Sequence, residues 1–221
     1  MEWPLLASLS ESDRRDVLAN TRRRRFGKGE VVVHEGDPAD SLHLVVSGRL
    51  AVRVATSSGD NATLNILGPG DYFGELSLLD GRQPARSASI VALEPAETLS
   101  LAASAFRELR QRHRGAEQML LTLLARRVEE LSARLLETMY DGLDRRVYRR
   151  LVELGRVYAD PDDPQAPVVV PLTQEQLAEL VGGTRPSVNQ VLKRLAERDV
   201  IEIGRGRVRL LDRGWLRQRS L

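Results

Sequence analysis

The sequence contains no cysteine. Disulfides, thiolate catalysis, cysteine-ligated zinc and iron–sulfur clusters are therefore excluded by inventory alone. Histidine is also scarce, because only His34, His43 and His113 are present. We accordingly predict no catalytic residue and no metal site.

Long apolar runs are missing as well. The chain has no stretch of about eighteen apolar residues, and Met1 to Ser10 carry no basic segment before a hydrophobic one. Neither a membrane span nor a signal peptide is predicted, so we expect a cytoplasmic protein with no membrane partner. The 221 residues suffice for two modest domains, since typical domains contain about 100 to 150 residues.

Positive charge is concentrated near the C-terminus. The net charge is only +2, yet Gly182 to Leu221 contain ten Lys or Arg against four Asp or Glu. Such a surplus suits a surface that faces phosphates. The run Arg22 to Arg25 admits a nucleic-acid interpretation, but we interpret it as a solvated face at the edge of the first domain. Arginine supplies 31 of the 33 basic residues, which indicates a compositional bias.

Short β-rich runs fill the segment from Glu30 to Leu101. They are Val31 to His34, Leu42 to Val46, Leu50 to Val54, Thr63 to Leu67, Ala88 to Ala92 and Glu97 to Leu101. Turn signals separate them at Gly36-Asp37, Ser47-Gly48, Ser58-Gly59-Asp60 and Gly68-Pro69-Gly70-Asp71. Runs of this length and spacing predict an antiparallel sandwich or barrel.

A long helix is predicted from about Phe106 to Tyr140. Apolar residues recur there at spacings of 3, 4, 3 and 4, at Leu121, Leu124, Val128, Leu131 and Leu135. This is a heptad seam flanked by charged residues, and it predicts pairing with a second copy of the chain. The alternative is that the stripe packs against the first domain, although helices in that position normally have a wider apolar face.

The pattern after Asp141-Gly142, which ends the long helix, predicts a third segment. Leu143 to Val157 reads as a helix, and Val168 to Val170 as a short strand. The polar, proline-rich stretch from Asp160 to Pro167 between them is predicted to be a loop.

Two short helices joined by a glycine turn are predicted in the C-terminal segment. Thr173 is placed as an N-cap with Gln176 closing a capping box, Gly182-Gly183 makes the turn, and Thr184 caps the second helix. This arrangement fits a helix-turn-helix that enters the major groove, and an ordinary helical hairpin is the alternative. A predicted hairpin, Val200 to Ile203 with Arg207 to Leu211, follows it.

A candidate anion cradle lies near the end of the β-rich segment. Gly74 and Glu75 lead into a short helical segment, whose unpaired N–H groups suit an anionic oxygen. Arg86 supplies a charged planar fork and Ser87 a hydroxyl. On these residues alone, a simple turn with a surface Glu and a surface Arg remains an alternative.

The full string FGELSLLDGRQPARSAS, from Phe73 to Ser89, strengthens the cradle interpretation. This string resembles the cyclic AMP receptor protein (CRP/FNR) superfamily of bacterial transcription regulators. The resemblance extends to four further segments, Gly36-Asp37, Asp40-Ser41-Leu42, Ser47-Gly48 and Leu67 to Asp71. The resemblance implies an α+β fold with a jelly-roll-like β-roll (1–115), a dimerisation helix (116–140) and a winged helix-turn-helix (141–221).

The resemblance also implies a ligand site. The family's phosphate-binding residues fall on Gly74, Glu75, Leu76, Arg86, Ser87 and Ala88. In the family the arginine and serine hold a cyclic phosphate, and the glutamate binds the ribose 2′-hydroxyl. Because the spacing to Arg86 is slightly long, Arg82 is an alternative. The implied effector is cyclic AMP or another cyclic nucleotide, and no cofactor is required.

The long helix departs from the family at the base. Members that respond to cyclic AMP place two hydroxyl residues against adenine, and these positions fall on Leu131 and Ser132. Leu131 cannot donate or accept a hydrogen bond. One such bond is worth about 0.5 to 1.5 kcal/mol, about tenfold in affinity, so binding survives but base choice is in doubt. A regulator with a vestigial pocket is therefore an alternative.

The C-terminal residues are expected to read DNA. Arg185 is assigned to a guanine. The other predicted contacts of this helix, to bases or phosphates, are Thr184, Ser187, Asn189, Gln190 and Lys193. The residues assigned to backbone phosphates are Arg205, Arg207 and Arg209. Pro186 replaces a glutamate of the best-known members, so the operator should differ at one position per half-site.

Three functions follow from these patterns. The first is a homodimeric regulator that binds a pseudo-palindromic operator in double-stranded DNA under cyclic-nucleotide control, and the second lacks that control. The third is a cupin-like metal enzyme, because β-barrels with histidines such as His34 and His43 also take that form. The loop from Asp160 to Pro167 lies where some relatives touch RNA polymerase, and it equally suits a passive connector.

Overall fold

The structure is a computed structural model of the 221-residue chain. It describes residues 3, 6–7, 9–55, 61–78, 85–112, 114–160, 163 and 166–220. The chain forms two compact units, residues 1–55 with 67–132, and residues 56–66 with 133–221. The predicted turn at Ser58-Gly59-Asp60, Arg82 and His113 lie outside the described residues.

Two four-stranded sheets form the β-roll. The strands are β1 (Thr21–Phe26), β2 (Val31–Val33), β3 (Ser41–Ser47), β4 (Leu50–Ala55), β5 (Asn61–Leu67), β6 (Tyr72–Phe73), β7 (Ser89–Ala92) and β8 (Ala96–Ala102). The sheet orders are β1-β8-β3-β6 and β2-β7-β4-β5. The six predicted strands are present, whereas β1 and β6 were not predicted.

The missed strand β1 is the arginine run at the edge of its sheet. Arg22 to Arg25 are all exposed and pair in register with β8, where the Glu97 carboxylate accepts hydrogen bonds from Arg23 and Arg25. This exposure agrees with the interpretation of Arg22 to Arg25 as a solvated face. The strand was missed because its residues do not alternate between apolar and polar. Charged side chains on an edge strand also discourage pairing with other chains.

Strand β3 separates two apolar cores because its side chains alternate between faces. Leu42 and Leu44 belong to one core, and Val45 belongs to the other with Phe73 and Ile90. The first core is covered by α1 (Glu11–Ala19), which was not predicted, α2 (Ala103–Arg112) and the first part of α3 (Arg114–Tyr140).

Helix α3 uses different residues for the core and for the predicted seam. Met119, Leu120 and Leu123 are buried in the first core. Leu121, Val128, Leu131 and Leu135 are 56 to 63% exposed, at 59%, 63%, 56% and 60%. Leu124 is half-buried and packs against the first core, so at this position the alternative of packing on the first domain applies.

The second unit contains the helix-turn-helix and its wing. Its helices are the end of α3, α4 (Leu143–Val157), α5 (Gln174–Val181), α6 (Arg185–Ala196) and α7 (Arg213–Arg219). Its sheet contains the strands β9 (Val168–Val170), β10 (Ile201–Gly204) and β11 (Arg207–Leu210), in the order β10-β11-β9. Helix α7 was not predicted. Among the described residues, no helix combines the length and apolar character needed to cross a membrane.

Local hydrogen bonds explain why α5 and α6 begin and end where they do. Thr173 Oγ1 accepts from the N–H of Gln176 at 3.2 Å, and Gln176 Oε1 accepts from the N–H of Thr173 at 2.9 Å. Gly182 ends α5 with φ of 61°, a left-handed conformation that favours glycine. Thr184 caps α6 through the N–H of Ser187. The predicted capping box and glycine turn are thus present.

Candidate ligand pocket and DNA-facing surface

A pocket of the first unit gathers the residues of the predicted cradle. All six predicted positions line it, namely Gly74, Glu75, Leu76, Arg86, Ser87 and Ala88. Its apolar walls come from the roll, including Val33, Ala39, Val52, Phe73 and Ile90. A polar end and an apolar wall are what a ligand with a charged group and a flat ring requires.

Gly74 is needed at the polar end of the pocket. Its φ is +82°, and a Cβ there would clash with Arg86 Nη1 and with the carbonyl oxygen of Ser41. The segment that follows is a single 3-10 turn, Glu75–Leu78, rather than a longer helix. Its Ser77 hydroxyl donates to the Gly74 carbonyl at 2.7 Å. The close approach of the Arg86 guanidinium therefore depends on glycine.

Ser41 and Asp40 accept hydrogen bonds from the Arg86 guanidinium, and its Nε has no partner among the described residues. Its side chain is only 5% exposed. Nη1 donates to the Ser41 carbonyl at 2.8 Å and Nη2 to the Ser41 hydroxyl at 3.0 Å, with Asp40 Oδ1 at 3.4 Å. The buried Nε has no hydrogen-bond partner among the described residues. An unsatisfied buried donor costs about 1 to 3 kcal/mol, a cost that an acceptor from a water or from a ligand would offset.

The electrostatic setting of Arg86 suits an anion. Burial lowers the pKa of Arg86, and the carboxylates of Asp40, Asp37 and Glu75 act in the opposite direction. Arginine nevertheless stays cationic in proteins. The pocket therefore presents a permanent positive charge in a poorly hydrated place, where its attraction for a phosphate is stronger than in water.

Arg127 belongs to the pocket and was missed in the sequence. Its Nε lies 3.6 Å from Glu75 Oε1, and its Nη1 lies 3.3 Å from Glu130 Oε2. It also lines the pocket, although it comes from α3 rather than from the roll. The available signal was its position four residues before Leu131, one helical turn from the predicted base contact.

The predicted base contacts are not part of this pocket within one protomer. Leu131 and Ser132 are exposed on α3 and are absent from the described residues that line it. Leu131 is instead on the same exposed stripe as Val128 and Leu135.

The second unit presents a polar face on α6. Val188, Val191, Leu192 and Leu195 are buried, whereas Arg185, Gln190 and Lys193 are exposed. Ser187 and Asn189 are half-buried, and the Thr184 hydroxyl is engaged in capping the helix. Arg205, Arg207 and Arg209 are exposed on the wing hairpin. Apart from Thr184, whose hydroxyl caps the helix, the residues predicted to contact DNA thus present polar side chains on the surface of this unit.

Comparison with known proteins identifies both halves of the chain. The cyclic nucleotide-binding domain family matches residues 23–113, and the Crp-like helix-turn-helix domain family matches residues 145–219. The "Cyclic AMP receptor protein" of Thermus thermophilus is 33% identical, over 97% of this chain and 95% of that protein. The chain belongs to the CRP/FNR superfamily of transcription regulators.

A second relative and a solved structure are also similar to this chain. The "CRP-like cAMP-activated global transcriptional regulator" of Mycobacterium tuberculosis is 30% identical, over 88% of this chain and 86% of that protein. FixK2 from Bradyrhizobium japonicum has the same fold, with a TM-score of 0.75 at 19% identity over 91% of this chain and 98% of that one. The family consists of regulators rather than enzymes, so the cupin-like hypothesis is wrong.

His43, one of the two histidines behind that hypothesis, belongs to a buried hydrogen-bond network. Its Nδ1 lies 3.0 Å from Thr98 Oγ1, and its Nε2 lies 3.3 Å from Ser41 Oγ. Its ring stacks on Phe73 with centroids 4.7 Å apart. Burial lowers the pKa of His43 to about 4, and the charges of Arg86 and Arg24 add to this effect. The imidazole is therefore neutral near pH 7.

The buried neutral His43 should make folding stability fall in mild acid. Its pKa rises from about 4 in the folded state to the ordinary 6.5 on unfolding. Between these values the unfolded chain binds more protons, so stability decreases as the pH falls below 6.5, by up to about 1.4 kcal/mol per pH unit. The free energy of unfolding, measured with urea between pH 7 and 5, should change less steeply with pH in His43→Gln than in the wild type. Equal slopes of the unfolding free energy against pH for wild type and His43→Gln would contradict the assignment.

Proposed function

We propose that the protein is a homodimeric, sequence-specific DNA-binding regulator that a cyclic nucleotide switches through the β-roll pocket. The observation that carries this proposal is the buried Arg86 side chain, which lines a pocket together with Gly74 and Ser87 and whose Nε has no hydrogen-bond partner among the described residues. The names of two relatives, a cyclic AMP receptor protein and a cAMP-activated regulator, support the same ligand class.

Different pocket residues bind the phosphate, the ribose and the base of a cyclic nucleotide. Arg86, Ser87 and the Gly74 backbone bind the cyclic phosphate, and Glu75 accepts from the ribose 2′-hydroxyl. Because Arg127 pairs with Glu75 at 3.6 Å, that carboxylate is tolerable beside an anion. The base lies along the apolar wall of Val33, Val52 and Ile90 and extends towards α3. Cyclic AMP is the first candidate, with other cyclic nucleotides as alternatives.

The exposed stripe on α3 supports the homodimer. Leu121, Val128, Leu131 and Leu135 keep the heptad spacing of a coiled-coil seam and are all more than half exposed. Pairing two copies along this stripe removes the apolar surface from water. It also brings Leu131 and Ser132 of the partner subunit near the first copy's pocket.

The dimer and the polar face of α6 together favour a pseudo-palindromic operator. Two recognition helices related by a twofold axis contact half-sites about 34 Å apart, in successive major grooves. Arg185 is assigned to a guanine, with Ser187, Asn189, Gln190 and Lys193 beside it and Thr184 at the helix start. Arg205, Arg207 and Arg209 bind phosphates from the wing. Such a regulator acts where the chromosome is, in the bacterial cytoplasm.

A single helix gives the switch its physical basis. Helix α3 carries both Arg127, which faces the pocket, and the exposed stripe. A ligand that competes for Glu75 alters the ion pair with Arg127 and so biases how two α3 helices pack. The switch operates only to the extent that the ligand binds the DNA-competent state more tightly.

A second candidate function keeps the DNA binding and removes the control. It is favoured by Leu131, an apolar residue at the position where the family places an adenine contact. In this case the protein binds its operator equally well with and without ligand. Contact with RNA polymerase through the predicted loop 160–167, of which residues 161, 162, 164 and 165 lie outside the described residues, is compatible with both functions.

Titration of operator binding with cyclic AMP and cyclic GMP separates these functions. An operator is first selected from a random duplex library with the full-length protein, and its affinity is measured at fixed salt. We expect one nucleotide to strengthen binding by about 5- to 150-fold. The Arg185→Ala variant, as a control, should lose operator preference while retaining nucleotide binding. A response that stays flat with both nucleotides would establish the second candidate instead.

A further inference from the structure

A polar cluster with two buried members, His43 and Thr98, lies next to the candidate phosphate site. It comprises Ser41, His43, Thr98 and Ser100 on the neighbouring strands β3 and β8, and it ends at the Arg86 guanidinium. We propose that Ser41 and His43 are positioning residues that fix the Arg86 guanidinium for phosphate binding, an inference that rests on the proposed cyclic-nucleotide function. Neither residue is among the described residues that line the pocket.

Ser41 holds Arg86 at two points. Its carbonyl oxygen accepts from Nη1 at 2.8 Å, and its hydroxyl accepts from Nη2 at 3.0 Å. The two bonds occupy one edge of the planar guanidinium and so fix its orientation, leaving Nε without a partner among the described residues. A long arginine side chain would otherwise have several rotamers to choose from.

The hydrogen atoms in this cluster can be assigned from the donors and acceptors present. The Ser41 hydroxyl donates its one hydrogen to Asp40 Oδ1, at 2.8 Å. We assign the hydrogen of His43 to Nε2, which donates to Ser41 Oγ at 3.3 Å, so that Nδ1 accepts from the Thr98 hydroxyl at 3.0 Å; the Ser100 hydroxyl, 3.4 Å from Nε2, is the alternative partner of that nitrogen. In this arrangement Ser41 Oγ accepts from both His43 and Arg86.

His43 is therefore the group that holds the Ser41 hydroxyl from the inside of the roll. It is buried, and its stack on Phe73 fixes the plane of the ring. Thr98, which has no exposed surface, fixes the ring's rotation. The order of dependence runs from Thr98 to His43, from His43 to Ser41 and from Ser41 to Arg86.

Isothermal titration of the full-length protein with cyclic AMP tests this dependence. Ser41→Ala should weaken binding by about tenfold, the usual worth of one hydrogen bond, and Ser41→Thr, which keeps the hydroxyl, should restore it. His43→Phe preserves the ring stack and should weaken binding by several-fold, and His43→Gln, which keeps a donor, should recover part of the loss. The double variant Ser41→Ala/His43→Phe should bind like Ser41→Ala alone, because His43 acts through Ser41.

A second measurement needs no nucleotide. In ¹⁵N spectra of the ligand-free protein, a guanidinium held at two points gives separate, slowly exchanging Nη signals, and Arg86→Lys identifies them by their loss. We expect these signals in the wild type and in Ser41→Thr, and their averaging in Ser41→Ala. The midpoint of thermal unfolding, measured for every variant, confirms that each is folded.

The outcomes distinguish the inference from the function on which it rests. If the wild type shows fixed Arg86 signals that average in Ser41→Ala but binds neither cyclic AMP nor cyclic GMP, the positioning holds and the proposed ligand is wrong. If the wild type binds cyclic AMP and Ser41→Ala binds equally well with unchanged Arg86 signals, the positioning is overturned. Additive losses in the double variant would overturn the dependence of His43 on Ser41.

Discussion

Replacing Arg86 by Gln is expected to weaken cyclic AMP binding by up to about a hundredfold. A hydrogen bond between charged partners contributes about 1.5 to 3 kcal/mol, and the 5% exposure of this side chain leaves little water to take its place. A loss of about 3 kcal/mol corresponds to a hundredfold change in dissociation constant. Isothermal titration with the full-length protein measures the change directly.

Two further variants show whether the loss comes from the site. Arg86→Lys keeps a positive charge but loses the planar fork, so it should recover only part of the affinity. Arg107→Gln removes a charge from an exposed position of the same unit and should bind like the wild type. Retention of wild-type affinity in Arg86→Gln would mean that Arg82, or a different part of the chain, binds the phosphate.

The six residues predicted for the anion cradle line one pocket, and they are close together in the chain. Gly74 to Leu76 and Arg86 to Ala88 lie on adjacent segments, and glycine at a position with positive φ marks where the backbone must approach another group. The capping box at Thr173 was equally predictable, since its partners are three residues apart. Local geometry of this kind can be read without knowledge of the fold.

The parts that were missed depend on contacts between distant segments. Arg127 is 52 positions from Glu75, and its place one helical turn before Leu131 does not indicate that pairing. Ser41 and Arg86 meet only because the Pro38–Ala85 bridge and the β3 register bring their segments together. Strand β1 was hidden because four consecutive exposed arginines show no alternation.

Helix α3 shows how one periodic pattern can serve two purposes. Its first part packs on the roll through Met119, Leu120 and Leu123, and the heptad spacing alone did not separate these residues from the stripe. Burial makes the separation, because Leu124 is half-buried whereas Val128, Leu131 and Leu135 remain exposed. The self-pairing surface is therefore expected to be centred on these last three residues rather than spread evenly over the predicted seam.

Replacing Val128 by Asp should convert the protein into a monomer and remove high-affinity operator binding. Val128 is 63% exposed, so the folded protomer should tolerate the change. In a symmetric seam two carboxylates would meet in an apolar contact, where an unpaired charge costs several kcal/mol. Loss of the dimer also separates the two DNA-reading helices, which removes an avidity gain of about 10²- to 10⁴-fold.

Sedimentation equilibrium measures the dimer, and titration of a two-half-site duplex against a single half-site measures the avidity. Ala133→Asp is the matched control, because it adds the same charge to an exposed residue two positions beyond Leu131 and so on a different face of α3. We expect Ala133→Asp to remain dimeric and to keep its preference for the two-half-site duplex. A Val128→Asp protein that sediments as a dimer at the same concentration would show that the copies associate through another surface, and the coupling from pocket to DNA through α3 would then fail with it.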